Sequence, residues 1–208
     1  MKYFSTLLIG AGLLAAAACN NSSTTSSTSD SDSMAQDHAS MQSDTMAGME
    51  ASTDTASAQS AHVDISATKQ DTTGGGSADF TAMNGKVQMK LTLLFPKMAN
   101  KSVAVHLHEH GDCGDMGKGA HGHWNPTNEK HGKWGSGEYH SGDIGNVQLD
   151  GSGKGSLTFD SDRWTLGGDA KTNILGRAVI VHSGVDDYTT QPTGNAGSRI
   201  GCGVIMRK

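Results

Sequence analysis

The sequence predicts an all-β domain, a sandwich or a barrel, on three observations. Short stretches alternate apolar and polar residues with the two-residue period of a strand. Glycine-rich turn signals separate them. No stretch sustains a helical period between caps. Short alternating strands and frequent turns favour sheet packed against sheet.

Taken in order, the segments around Thr73-Gly-Gly-Gly76 are polar and read as edge strands on either side of a turn. Val87, Met89, Leu91 and Leu93 alternate with Gln88, Lys90 and Thr92, a half-buried strand that ends before Pro96 and Asn100. The next strand puts Val103, Val105 and Leu107 on one face and Ala104, His106 and His108 on the other. Residues 111–143 are rich in glycine and nearly devoid of aliphatic side chains. So long a loop inside a compact domain implies a function that holds it. Val147 and Leu149, then Asp150-Gly-Ser-Gly153, then Leu157 and Phe159 read as a hairpin. Ile174 opens a further strand, in which Ala178, Ile180 and His182 share a face. The chain closes on Cys202-Gly-Val-Ile205.

Ahead of this domain lie two segments of other character. Residues 1–19 hold Lys2, an apolar run from Tyr3 to Ala18, and Cys19, the pattern of a secretory signal. Ala-Ala-Ala-Cys resembles a bacterial lipoprotein cleavage box, although Ala16 stands where such boxes usually carry Leu. Cys19 is then the lipid-bearing residue, and the protein is exported, periplasmic or at the cell surface, anchored to a bacterial membrane. Cleavage after Ala18 without lipid is the other reading. Residues 20–61 are Ser, Thr, Asp, Ala, Met and Gln, too poor in apolar area to offset ordering entropy, and read as a disordered acidic tether. Met34, His38, Met41, Met46, Met49 and His62 are spread along it. Thioether and imidazole suit copper(I), so the tether reads either as a spacer, the reading with more weight, or as a copper collector. The tether has six acidic residues and no Lys or Arg, whereas residues 62–208 balance fifteen bases with fifteen acids. The domain therefore has no basic field to suggest nucleic acid. Cys113 and Cys202 remain as one pair, by default a disulfide in an exported protein, with two buried thiols as the alternative.

Eight of the ten histidines fall between His106 and His182. Same-face strand residues lie about 7 Å apart, close enough for the His106 and His108 imidazoles to lean onto one metal ion. His123, His131, His140 and Asp143 follow in the long loop, and His182 ends a later strand. Several imidazoles with one carboxylate suit zinc, and strand imidazoles without a thiolate suit copper(II).

Several pieces of this sequence are similar to the copper/zinc superoxide dismutase family in its bacterial exported form. They are His-Leu-His-Glu-His-Gly-Asp-Cys (106–113), Gly-His-Trp-Asn-Pro (122–126), Lys-His-Gly (130–132), His-Ser-Gly-Asp-Ile-Gly-Asn (140–146), Gly-Arg-Ala-Val-Ile-Val-His (176–182), Asp186-Asp187, and Gly-Asn-Ala-Gly-Ser-Arg-Ile-Gly-Cys-Gly-Val-Ile (194–205). The match spans nearly all of 62–208. It implies a Greek-key β-sandwich or barrel of about eight antiparallel strands with two long functional loops. It implies copper, cycling between Cu(2+) and Cu(+), on His106, His108, His123 and His182. It implies Zn(2+) on His123, His131, His140 and Asp143, with His123 as a bridging imidazolate. Asp186 corresponds to the carboxylate that ties a copper histidine to a zinc histidine, Cys113–Cys202 to the family disulfide, and Arg199 to the arginine beside copper. Arg199 and His123 are then the catalytic side chains, and superoxide is the substrate, converted with protons to dioxygen and hydrogen peroxide. Family members are monomers or homodimers.

The sequence departs from the family in three respects. His110 stands where many relatives have an aromatic or aliphatic residue, and His121 is extra; both read as surface histidines. The segment Ser183 to Ser198 has no Lys, so any steering field must come from Arg199 with Lys118, Lys130 or Lys133. A metal storage or delivery protein on the same domain is the competing function. It needs neither a shared imidazole nor a cation at the open face.

Overall fold

The computed structural model describes residues 59–208. The leader, Cys19 and nearly all of the tether lie outside the described residues. Nine strands follow in order: β1 Ser60–Ala67, β2 Gly75–Met83, β3 Lys86–Leu94, β4 Ser102–His108, β5 Asp143–Gln148, β6 Lys154–Ser161, β7 Ala178–His182, β8 Arg199–Val204 and β9 Met206–Arg207. Helical structure among the described residues is limited to two 3-10 turns, and no helix is long and apolar enough to cross a membrane. β1 begins two residues before the expected domain boundary, and it contains His62, whose ring bonds Asp79 at 2.8 Å.

The strands form one antiparallel sheet in the order β5-β4-β7-β8-β1-β2-β3-β6, with β9 on β1. The sheet curls so that its two end strands meet at a seam, a nearly closed barrel with Greek-key crossings from β3 to β4 and β6 to β7. The alternation read along residues 87–93 is present: Val87, Met89, Leu91 and Leu93 are all buried. They join Phe80, Phe95, Leu107 and Trp164 in one core.

Four local expectations differ from the structure. The segments around Thr73 are not edges, because β1 and β2 lie inside the sheet. Their inward residues are few but alternate, Val63 and Ile65 with Ala78 and Phe80, and the polar outer face concealed this. Gly75 and Gly76 belong to β2 rather than to a turn, and a Cβ on either would lie 2.3 or 2.2 Å from a backbone oxygen of the adjoining strand. Residues 147–159 are not a paired hairpin. β5 pairs with β4 and β6 with β3, and the turn at Asp150–Gly153 crosses the seam. Its hydrogen bonds go partly to the β3–β4 connection: Phe95 N–H donates to Gly153 O at 2.8 Å and Asn100 N–H to Asp150 O at 2.9 Å. Ile174 is buried in a loop, and its strand begins only at Ala178.

The outer face of β4, β7 and β8 is also covered. Ala178, Ile180 and Cys202 pack with Ala120 beneath the loop after β4. The Cys113–Cys202 disulfide fastens that loop to β8 across 89 residues.

Candidate metal centre

β4 is buried on both faces. Val103, Val105 and Leu107 enter the core, while His106 and His108 point outward beneath loops and are 0% and 1% exposed. β4 pairs with β7 so that His106 lies opposite Ile180 and His108 opposite Ala178. His182 therefore falls on the same face, one step beyond. Register shifts occur at Val105/His106 and Val181/His182. Such bulges twist a strand and re-aim its side chains, here where two imidazoles must converge. The His106 and His182 ring centroids are 5.0 Å apart.

His123 arrives from the long loop. It bridges to His108, and Trp124 N–H donates to Leu107 O at 2.8 Å. Its ring centroid is 3.9 Å from that of His106. Further along, Asp143 stands at the start of β5. Its Oδ1 accepts from His123 Nδ1 at 2.9 Å, and its Oδ2 accepts from the backbone N–H groups of Gly132 and His140 at 3.1 and 2.8 Å. Trp164 in the core donates to Ser141 O at 2.7 Å and so steadies the backbone beside His140.

Two buried clusters result, one of His106, His108, His123 and His182 and one of His123, His131, His140 and Asp143. In each, one potential ligand atom per residue lies within 4.8 Å of the others, and His123 belongs to both. Between them sits Asp186, which accepts from His106 Nε2 at 2.9 Å and from His131 Nε2 at 2.8 Å. Tyr188 N–H donates to the same carboxylate at 2.7 Å.

The hydrogen bonds fix several ring tautomers. His108 Nδ1 donates to the His121 carbonyl at 2.8 Å and His182 Nδ1 to the Gly197 carbonyl at 3.3 Å. Each neutral ring is thus left with a lone pair on Nε2, and these two nitrogens face one another at 3.3 Å. His106 donates from Nε2 to Asp186, which leaves its Nδ1 bare. His106 Nδ1, His123 Nε2, His131 Nδ1 and His140 Nδ1 are buried without a hydrogen-bond partner. Buried polar atoms are seldom left so, and lone pairs that converge without a donor fit a shared cation. The donor sets, four imidazoles in one cluster and three imidazoles with a carboxylate in the other, fit copper(II) and zinc.

The electrostatics differ between the clusters. Burial, then the charges of His123 and His182, hold His108 far below the ordinary histidine range. Burial, then His106 and His123, do the same to His182. Burial and the neighbouring His106 bring His123 down to about 4. These rings are neutral at pH 7, so His108 and His182 need lose no proton to bind metal, whereas His123 must give up its Nδ1 proton to serve both clusters. Burial also opposes charge on His131, but the Asp143 and Asp186 carboxylates outweigh it and raise His131 to about 9. Burial works against ionisation of Asp143, yet His123, His131 and His140 hold its carboxyl far below the usual range.

The first cluster opens outward. His108, His123 and His182 line a cavity of about 330 Å³ with Thr193, Asn195 and Arg199. The Arg199 guanidinium donates to the carbonyls of Gly117 and His121, the second of which also accepts from His108. An adjoining groove includes Lys69 and Lys118 beside Arg199. Lys118 also pairs with Asp115 at 3.5 Å, Lys130 pairs with Glu138 at 3.6 Å, and Lys133 sits over the Tyr188 ring.

The sequence reading missed several supports. Lys69 lies far from the histidine motifs in the chain. Gln191 brackets His131, accepting from its N–H and donating to its carbonyl, both at 2.9 Å. Asn146 holds Asp186 by accepting from its N–H at 2.8 Å and donating to its carbonyl at 2.9 Å. Asn146 stood within a quoted motif, and its place in β5, three residues after Asp143, was the available signal. His110 and His121 lie outside both buried clusters and are exposed.

The family model for copper/zinc superoxide dismutase matches residues 74–205. Superoxide dismutase (Cu-Zn) 2 of Aquifex aeolicus is 38% identical over 136 residues, which cover 62% of this chain and 78% of that protein. Among solved structures, the clock protein EA4 aligns with a TM-score of 0.62 and 32% identity, covering 72% of this chain and 94% of that one. A double mutant of a SOD-like protein from Bacillus subtilis aligns with a TM-score of 0.61 and 29% identity, covering 70% and 96%.

Proposed function

Because the chain belongs to the copper/zinc superoxide dismutase family, we propose that it dismutes superoxide with copper held by His106, His108, His123 and His182 and zinc held by His123, His131, His140 and Asp143. It is an oxidoreductase, and its family's cofactors are copper and zinc. The observation that supports the ligand sets best is the convergence of lone pairs: His108 Nε2 against His182 Nε2, and the bare nitrogens of His106 and His123 beside them. When bound, copper supplies the one-electron exchange that turns superoxide and protons into dioxygen and hydrogen peroxide, while redox-inert zinc fixes its ligands.

The chain's own groups do the rest. Arg199 sets a permanent cation at the cavity and offers its remaining donors to a small anion. Two carbonyls fix its guanidinium, so it is aimed before the anion arrives. His123 belongs to both ligand sets: its Nδ1 lies on the Asp143 side and its Nε2 faces the cavity cluster, so serving both metals requires loss of the Nδ1 proton. Its Nε2, buried without a hydrogen-bond partner, is placed to take up and return a proton at the cavity. Asp186 orients His106 and His131 through their Nε2 atoms, the outer support that ligating histidines generally need.

Stopped-flow decay of superoxide tests the reading, with the full chain loaded with copper and zinc beside a His182→Ala variant. Catalytic decay that is lost in the variant is expected. Stoichiometric consumption with both metals still bound would instead favour storage or delivery.

Location is part of the same proposal. The leader pattern and the Cys113–Cys202 disulfide support export to an oxidising compartment, with lipid on Cys19. Labelled fatty acid should be incorporated into the chain and not into a Cys19→Ala variant; equal labelling of both would rule out Cys19 as the anchor.

A further inference from the structure

A third cluster of metal-ligating side chains lies outside the two buried ones. Glu109, His110 and His121 are all exposed, and one ligand atom from each lies within 4.8 Å of the others. The His110 and His121 ring centroids are 4.5 Å apart, edge to face.

The backbone brings them together. Beyond the His108–His123 bridge the two segments stay paired, with Glu109 N–H donating to Gly122 O at 3.1 Å and His110 N–H to Ala120 O at 3.2 Å. Continuing that register two residues outward places His110 beside His121. A same-face step along a strand is about 7 Å, so this pair stands one step outward from His108 and His123.

His121 occupies this place in an unusual conformation, φ 61° and ψ −142°. Residues other than glycine seldom adopt a positive φ. The duties of the His121 carbonyl toward His108 and Arg199 would be met as well by glycine. Histidine there adds strain, and what it supplies is an imidazole against His110.

Among the described residues, none of the three makes a side-chain hydrogen bond or ion pair. Arg177, the nearby cation, directs its donors to the backbone carbonyls of Asn173, Glu109 and Ala170.

We propose that Glu109, His110 and His121 form a third, solvent-open site for a divalent transition-metal ion, copper(II) before zinc. Two imidazoles and one carboxylate suit these ions, while calcium and magnesium demand oxygen ligands. At a fixed nitrogen and oxygen donor set copper(II) binds more tightly than zinc. Open positions go to water, so the ion exchanges freely. The site adds metal capacity beside the first cluster without adding a ligand to it, and it stands whether or not the protein dismutes superoxide.

The test begins with the full chain carrying one copper and one zinc, verified by elemental analysis. Copper(II) is then titrated and followed by electron paramagnetic resonance, with His110→Ala and Glu109→Gln variants in parallel. The wild-type chain should take up one equivalent more than His110→Ala, and Glu109→Gln should hold that equivalent more weakly. Equal uptake by wild type and His110→Ala overturns the proposal. Should His110→Ala fail to hold its first two metals, nuclear magnetic resonance of the wild type decides. Added copper(II) should broaden the imidazole signals of His110 and His121, and broadening confined to His38 or to no histidine overturns the site.

Discussion

Gly194 covers the bond between Asp186 and His131, which makes Gly194→Ala a sharp test of how the second cluster is supported. A Cβ at this position would lie 1.8 Å from Asp186 Oδ1 and 2.5 Å from His131 Nε2. Asp186 must therefore shift by more than about 1 Å to restore an ordinary contact. Its 2.8 Å hydrogen bond to His131 does not survive such a shift. Loss of an outer partner costs about 10–100-fold in metal affinity, or about 1.4–2.7 kcal/mol. The residue also has φ +64, where an L side chain costs about 1–2 kcal/mol by itself. Gly168→Ala separates the two effects, because Gly168 has φ +84 with nothing within 4 Å of its added Cβ. Zinc affinity is measured by competition with a chromophoric chelator, and melting of the metal-free protein is followed alongside. Both variants should melt lower, but only Gly194→Ala should lose zinc affinity by about tenfold or more. Equal zinc affinity in the two variants would refute the reasoning that Asp186 orients His131 for metal.

Two further perturbations probe the frame around the site. Replacing both Cys113 and Cys202 with Ser releases a loop of 89 residues. The metal-free protein should lose about 2–5 kcal/mol in denaturant unfolding, and a loss below about 1 kcal/mol would contradict that. His62 is a pH-dependent tie between β1 and β2: Asp79 first and Asp64 second raise it above 6.5. Lys208 first and His62 second lower Asp79 below 3.8. A raised histidine stabilises the fold fully below 6.5 and ceases to as pH rises through its folded value; a lowered carboxyl contributes above 3.8 and loses that as pH falls through its own. His62→Ala should therefore destabilise most near pH 5.5 and little near pH 8.5, by less than about 1 kcal/mol because the pair is partly exposed. A larger effect at the higher pH would reverse the assignment.

What the sequence disclosed follows from where each signal is written. The alternation in β3 and β4 is local, so the inward residues and the His106–His108 face were legible directly. The loop after β4 was legible as functional because it lacks aliphatic residues to hold it. Strand partners were less so. Asp150-Gly-Ser-Gly153 has the same composition whether it closes a hairpin or crosses a seam, and only the pairing of β6 with β3 decides. The supports of the metal centre were least legible of all. Gln191 acts by bracketing the backbone of His131, 60 residues away. Gly194 acts by having no side chain, and Lys69 by lying next to Arg199 in space. None of these roles leaves a periodic or compositional trace.

The placement of carboxylates separates the roles of the two clusters. Asp143 and Asp186 are each 1% exposed and both lie on the closed side. Asp143 joins the second cluster directly, and Asp186 reaches His106 from behind. Among the described residues no carboxylate lines the cavity of the first cluster, where Arg199 is the one formally charged side chain. A carboxylate there would repel an anion at close range and would pair with Arg199, removing its free donors. His108, His123 and His182 instead stay neutral through burial and one another's proximity, while Asp143 and Asp186 stand behind them, against His123, His106 and His131. An anion approaching from solvent therefore meets a cation and neutral imidazoles, with the Asp143 and Asp186 carboxylates on the far side of those rings.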